Sequence, residues 1–258
     1  MKDIARLSDD DFYQWLKVQL EKREFLTGQR LSKERQKEEL YDILFYEQGL
    51  TVDEIERYFI PFGQAGYLTT KRKFELMLFI LEKDYGKGFL FLEGAKDCYV
   101  VTEEDVEEVY LQWLMEERLF LSEEEKKEFF VQSLMDSLGL GVLEVLNRFA
   151  SDGILLGEFC PALNEQEQAE KRIGVYAEGR IIYLPFLQIE TKEELIRIIK
   201  SKIAMENKGE LTMMEPVLDF VQEDGTCITA MRPPAGKDWG IRILYGAARK
   251  EGMGWRRM

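Results

Sequence analysis

Through residues 1–120 apolar side chains mostly recur three and four positions apart, and beyond residue 150 most of them gather into short β-prone runs bounded by turn residues. The first pattern lays a stripe along a helix, whereas the second reads as strands joined by hairpins. Ser8, three residues before Asp11, predicts a helix start, with Phe12, Trp15, Leu16, Val18 and Leu20 on its apolar face. Leu40, Ile43, Leu44 and Tyr46 repeat at helical spacing within Glu38–Tyr46. Thr51-Val-Asp-Glu54 has the form of a capping box, in which Thr51 accepts from an orphan backbone N–H and Glu54 reaches back. It leads into Ile55, Tyr58 and Phe59, and Pro61 closes the segment. Phe74–Leu81 is apolar nearly all round, which predicts a buried central helix ended by Gly86-Lys-Gly88. Phe89–Leu92 and Cys98–Val101 are β-prone, with Glu93-Gly94 as the turn between them. Thr102–Asp105 caps a helix bearing Val106, Val109, Tyr110 and Trp113. Ser122–Glu125 is a second capping box, and its helix carries Phe129, Phe130, Leu134 and Met135 to a break at Gly139-Leu-Gly141.

After Gly141 the texture changes. A short helix over Val142–Phe149 precedes Asp152-Gly153 and a β-prone run, Ile154–Phe159. Leu163–Lys171 is polar and reads as a loop or helical insertion. Ile173–Ala177, Glu178-Gly179 and Arg180–Leu184 form a hairpin pattern around a glycine-bearing turn. Thr191–Glu194 caps an amphipathic helix with Leu195, Ile196, Ile198, Ile199 and Ile203. Val217–Val221 and Thr226–Met231 flank Glu223-Asp-Gly225, a strong hairpin signal. Pro233-Pro234 stops that strand and Trp239–Tyr245 supplies another. The predicted class is therefore α+β: a mainly helical region, residues 1–120, then a small antiparallel-rich sheet with flanking helices, residues 121–258.

Charge narrows the function. With Lys and Arg at 35 and Asp and Glu at 49, the net charge is −14. Such a field repels a phosphate backbone, so no nucleic-acid partner is expected. Arg249, Lys250, Arg256 and Arg257 form a local basic cluster that reads equally well as a solvated tail. No membrane insertion is expected either: the N-terminal Met1–Asp10 lacks a signal-peptide pattern. The apolar run Leu76–Leu81 is far shorter than a span of ~20 residues. Cys98, Cys160 and Cys227 are scattered and odd in number, as reduced thiols in a cytoplasmic protein are.

The candidate chemistry is thin. The absence of histidine removes Ser-His-Asp and Cys-His triads, HExxH zinc sites and the usual neutral-pH proton shuttle. Gly139-Leu-Gly141 is a fragment of a dinucleotide loop that sits between helices, and no GxxxxGK(S/T) occurs. The acidic runs Glu103–Asp105 and Glu123–Glu125 fall in first turns of helices, where the backbone dipole favours them. No residue is assigned as catalytic, cofactor-binding or metal-ligating, and no cofactor is expected.

Four stretches nevertheless share an order and spacing with a known family. Leu121–Lys126 through Gly139–Leu146 resembles an acidic helix followed by a "GxGPLExLL" turn, and Val175–Arg180 resembles a "VxVExxGR" hairpin. Glu193–Ile199 is similar to an "EELLRII" helix. Glu215–Asp219, Asp224-Gly225 and Arg232–Pro234, with Trp239–Arg242, resemble the segment that leads into a motor domain. Residues 121–245 thus resemble the amino-terminal domain of type II/type IV secretion-system ATPases, with the tight-adherence pilus-assembly group nearest; residues 1–120 carry no match.

The resemblance implies a non-catalytic domain or adaptor that mediates subunit and partner contacts. Protein partners would be a P-loop secretion motor, a membrane platform protein or further copies of the chain. Arg180 and Arg242 would contact a neighbouring subunit or its nucleotide, although both also read as ordinary strand-edge or turn arginines. Departures weigh against nucleotide chemistry. Cys227 stands where the family hairpin carries an arginine, and a thiol lacks the cationic fork that holds phosphate. The P-loop domain would begin just after Arg242, where this chain ends as a truncated piece or a stand-alone remnant. ATP hydrolysis by the family mechanism is therefore not expected. Two other readings stay open: a general intracellular interaction or regulatory protein unrelated to secretion, and a carboxylate- or metal-dependent enzyme.

Overall fold

The computed structural model describes residues 4–85, 100–177 and 180–246. Within them the fold is α+β, with a mainly helical region preceding a six-stranded sheet and its flanking helix. The chain divides into two compact units, residues 1–76 with 113–139 and residues 77–112 with 140–258. Among the described residues no helix is long and apolar enough to cross a membrane. The expected glycine stop at Gly86–Gly88, the β-prone Phe89–Leu92, Cys98, the Glu178-Gly179 turn and the basic cluster at 249–257 lie outside the described residues.

The first unit is helical, and its helices begin where the caps place them. Helix α1 (Asp9–Thr27) starts at Ser8, whose side chain accepts from the Asp11 backbone N–H. Ser32 likewise caps α2 (Lys33–Tyr41). Both reciprocal bonds of a capping box are present at Thr51 and Glu54, opening α3 (Val52–Tyr58). Helix α4 (Thr70–Tyr85) follows, and the unit boundary falls inside it after Leu76. The boundary is crossed again inside α5 (Glu103–Met115), where Trp113 begins the returning segment. Ser122 and Glu125 form the box that opens α6 (Glu123–Leu138). The core is aromatic: Phe59 lies 4.9 Å from Phe12 and 5.0 Å from Phe130, centroid to centroid.

One expectation is corrected here. The stripe Leu40, Ile43, Leu44 and Tyr46 was predicted to share a face, but only the first three are buried, whereas Tyr46 is 77% exposed. After α2 the backbone widens into a π-helical turn over Asp42–Glu47, with Gln48 N–H donating to the Ile43 carbonyl. A π turn carries more residues than an α turn, so the phase of the stripe slips and Tyr46 swings outward.

The second unit holds the sheet. Helix α7 (Val142–Phe149) starts at Gly141, whose φ of +60° is the left-handed conformation that glycine adopts without strain. The strands are β1 (Gly153–Gly157), β2 (Ile173–Ala177), β3 (Arg180–Tyr183), β4 (Val217–Val221), β5 (Cys227–Met231) and β6 (Gly240–Leu244). Their order is β3-β2-β1-β6-β5-β4, and every neighbouring pair is antiparallel. Helix α8 (Lys192–Met205), capped by Thr191, packs against β6.

Register sorts the side chains into two faces. Ile154, Leu156, Val175, Ile228, Ala230, Ile241 and Ile243 share one face, and all are buried. Leu195, Ile198, Ile199 and Ile203 of α8 are buried with them. The other face carries Leu155, Arg242, Thr229 and Asp219 in one cross-strand row. At the β3 edge, Val100 bridges to Tyr183 and Val101 N–H donates to the Tyr183 carbonyl.

Candidate functional site

Three neighbouring strands have one polar residue each at their centre: Val-Leu-Asp219-Phe-Val, Cys-Ile-Thr229-Ala-Met and Gly-Ile-Arg242-Ile-Leu. The register brings these three residues side by side, Asp219 opposite Thr229 and Thr229 opposite Arg242. Arg242 Nη2 donates to Thr229 Oγ1 at 3.3 Å, and Thr229 Oγ1 donates to Asp219 Oδ1 at 2.9 Å. The Arg242 guanidinium also lies 5.2 Å from the centre of the Phe159 ring, a cation–π distance. A polar relay therefore crosses the sheet from half-buried Arg242 to exposed Asp219 at the margin.

Beside this row the loop after β1 is pinned by Arg172, which donates to the Cys160 carbonyl at 3.2 Å and to Glu158 at 3.4 Å. Cys160 is fully buried, and that burial pushes its thiol up to about 12, only partly opposed by Arg172. A protonated thiol is neither nucleophile nor metal ligand at neutral pH. Cys227 is buried as well, and both cysteines are free. At the far end of β6, Trp239 carries Arg232 at 5.0 Å and Lys200 at 5.7 Å from its ring.

The two arginines singled out from the sequence are not brought together. Arg180 opens the edge strand β3, is exposed, and pairs with Ala177. Its register places it with Ile182 on the apolar-face parity, whereas Arg242 belongs to the opposite face. Four strands, β3-β2-β1-β6, span the interval between them, roughly 14 Å at the usual strand spacing. No single small ligand can use both. Arg242 is also an interior-strand residue rather than an edge one. The sequence assigns Asp219, Thr229 and Phe159 no site role; for Asp219 and Thr229 the available signal is a lone polar residue at the centre of an apolar strand, whereas Phe159 carries none.

The helical unit has an open groove of ≈ 580 Å³ lined by Tyr41, Tyr46 and charged side chains. Its cations are already engaged: Arg35 pairs with Glu38 at 2.8 Å and Glu39 at 2.7 Å, and Lys37 donates to Gln132 at 3.1 Å. The bonds to Glu38 and Glu39 raise the Arg35 pKa. Burial and a hydrogen bond to Glu124 hold the Tyr41 phenol well above its ordinary value, so it stays protonated at neutral pH with its O–H committed to that carboxylate. The arrangement offers solvated carboxylates and cations around two phenols. Among the described residues no group of three or more Cys, Asp or Glu side chains is placed to hold a metal ion. The chain matches no protein-family model, and no curated protein matches its sequence.

Proposed function

We propose that this chain is a non-catalytic protein-contact module of a secretion or pilus-assembly ATPase apparatus, working on its cytoplasmic side. The observation that carries the reading is the ordered run of family-like blocks, each of which falls on regular elements or the turns that join them. The first covers the Ser122 cap, α6, Gly139-Leu140-Gly141 and the start of α7. The second spans the β2–β3 hairpin, the third lies in α8, and the last runs from β4 through β5 to β6. The buried position of Cys227, in place of the family's hairpin arginine, favours a contact role over a nucleotide-binding one.

The test is equilibrium binding of a fluorescent ATP analogue, first to this chain alone and then in the presence of a P-loop secretion ATPase. No binding alone, with altered nucleotide affinity in the mixture, is the expected result. Stoichiometric binding by the chain alone would reject the non-catalytic reading. An unchanged affinity in the mixture would leave a general interaction protein as the better description.

A further inference from the structure

Strand β4 is the last strand of the sheet, and its hydrogen bonding has a definite phase. Arg232 N–H donates to the Pro216 carbonyl at 2.9 Å, and Gln222 N–H donates to the Thr226 carbonyl at 2.8 Å. In an antiparallel ladder, hydrogen-bonded pairs alternate with non-bonded ones. Leu218 and Phe220 therefore bond inward to β5, opposite Ala230 and Ile228. Val217, Asp219 and Val221 turn their N–H and C=O groups outward, and among the described residues these have no backbone partner.

The same three residues are exposed, Val217 by 44% and Val221 by 49%. Their side chains share one face, so the margin shows a carboxylate flanked by two aliphatic groups. Asp219 is held there by Thr229, which Arg242 supports in turn.

An exposed edge of this kind is a template for another strand. Its charge selects the occupant. A second copy pairing about the strand centre would set Asp219 against Asp219, and like charges directly opposite destabilise a strand pair. A cation at that position gains instead. We propose that β4 is a docking edge that takes an extended segment of a partner protein, antiparallel, with Lys or Arg opposite Asp219 and aliphatic residues opposite Val217 and Val221. This inference rests on the reading of the chain as a protein-contact module and is independent of the secretion likeness.

The probe is a fluorescent peptide with the core Val-Thr-Arg-Thr-Val, titrated into the full chain while amide hydrogen exchange is followed residue by residue. At a peptide concentration of about ten times Kd, exchange at Val217, Asp219 and Val221 should slow by about tenfold. Leu218 and Phe220, already bonded to β5, should change little. N-methylation of the peptide at Val, Arg and Val should abolish binding, whereas N-methylation at the two Thr residues should be tolerated. Replacing Arg by Glu in the peptide should weaken binding about fivefold. Asp219→Lys should invert that preference, and Asp219→Asn, which keeps the shape at an exposed position, should erase it. Far-UV circular dichroism checks that both variants fold.

Absence of binding at millimolar peptide would overturn the proposal. Binding with protection elsewhere would also overturn it, while leaving the contact-module reading intact. Concentration-dependent protection of the three amides without peptide would make a second copy the occupant, against the choice made here. A failed motor-ATPase mixture, in contrast, bears only on the secretion reading.

Discussion

Gly157 is the position where the sheet tolerates least. Its φ is +63°, and a Cβ built there would lie 2.3 Å from the Trp239 carbonyl oxygen and 3.0 Å from Leu195 Cδ2. That carbonyl already accepts from Glu158 N–H at 3.0 Å, so it cannot move aside without breaking a backbone bond. Gly157→Ala therefore meets two penalties. The left-handed backbone costs an alanine about 1–2 kcal/mol, and the unrelieved overpacking costs about 1–3 kcal/mol more. The sum, about 2–5 kcal/mol, is a large part of the 5–15 kcal/mol that holds a typical domain together. Gly209→Ala provides the reference: φ there is +96°, but nothing lies within 4 Å of the added methyl. Both variants lose the same unfolded-chain entropy, so the difference between them isolates the contact. Urea unfolding followed by tryptophan fluorescence, with Trp239 as the local reporter, measures both. Gly157→Ala should be less stable than Gly209→Ala by about 1–3 kcal/mol. Equal stabilities would refute the close approach of β1 and β6 at this point.

Three further outcomes follow from the electrostatics and the open edge. Burial raises the Cys160 thiol from an ordinary 9.0 to about 12. The unfolded chain loses that proton first, so its contribution to stability is complete below about pH 9 and declines above it by up to about 1.4 kcal/mol per pH unit; chemical unfolding should show this alkaline slope flattened in Cys160→Ala. Bonds from the Thr51 backbone and hydroxyl hold Glu54 below the usual carboxylate range. That stabilisation is present at neutral pH and lost as pH falls. The stability difference between the native chain and Thr51→Ala should therefore be larger at pH 7 than in acid, where only the cap bond from Glu54 N–H to the Thr51 hydroxyl still separates them. Asp219→Val removes the one charge on β4 and should produce a concentration-dependent dimer in sedimentation velocity, whereas a persistent monomer at millimolar concentration would show that Asp219 does not guard the edge.

Much of this fold was legible because its local signals are chemical. Ser8, Thr51, Ser122 and Thr191 each accept the backbone bond that their position forecast. The Asp224-Gly225 hairpin forms as expected, with Gly225 at φ +85° and Thr226 N–H donating to Asp224. Phe74–Leu81 is buried on every side, though this includes Glu75, which pairs with Arg72 at 2.7 Å. A hydropathy pattern sees the apolar run but not the partner that lets a carboxylate enter it. What stayed hidden was non-local. Pairing β1 with β6 joins residues 154 and 243, and no short-range pattern announces it. Without that register the separation of Arg180 from Arg242 onto opposite faces could not be read; the row Asp219, Thr229 and Arg242 needed the β4–β5 and β5–β6 registers as well. The π turn at 42–47 was missed for a different reason: its residues fit an ordinary helix as well, and the surrounding packing decides between the two.

The short contact of Val100 and Val101 with Tyr183 has a bearing on assembly. Head-to-tail growth of a sheet through identical subunits needs two bare margins, so that the β3 side of one copy can meet the β4 side of the next and propagate as a filament. Here the β3 margin is occupied by the chain's own residues at Tyr183, while the β4 margin carries Asp219, which resists meeting itself. Endless polymerisation and closed pairing are thus obstructed by different devices at opposite ends of the same sheet. A foreign strand with the complementary charge is the visitor that neither device turns away.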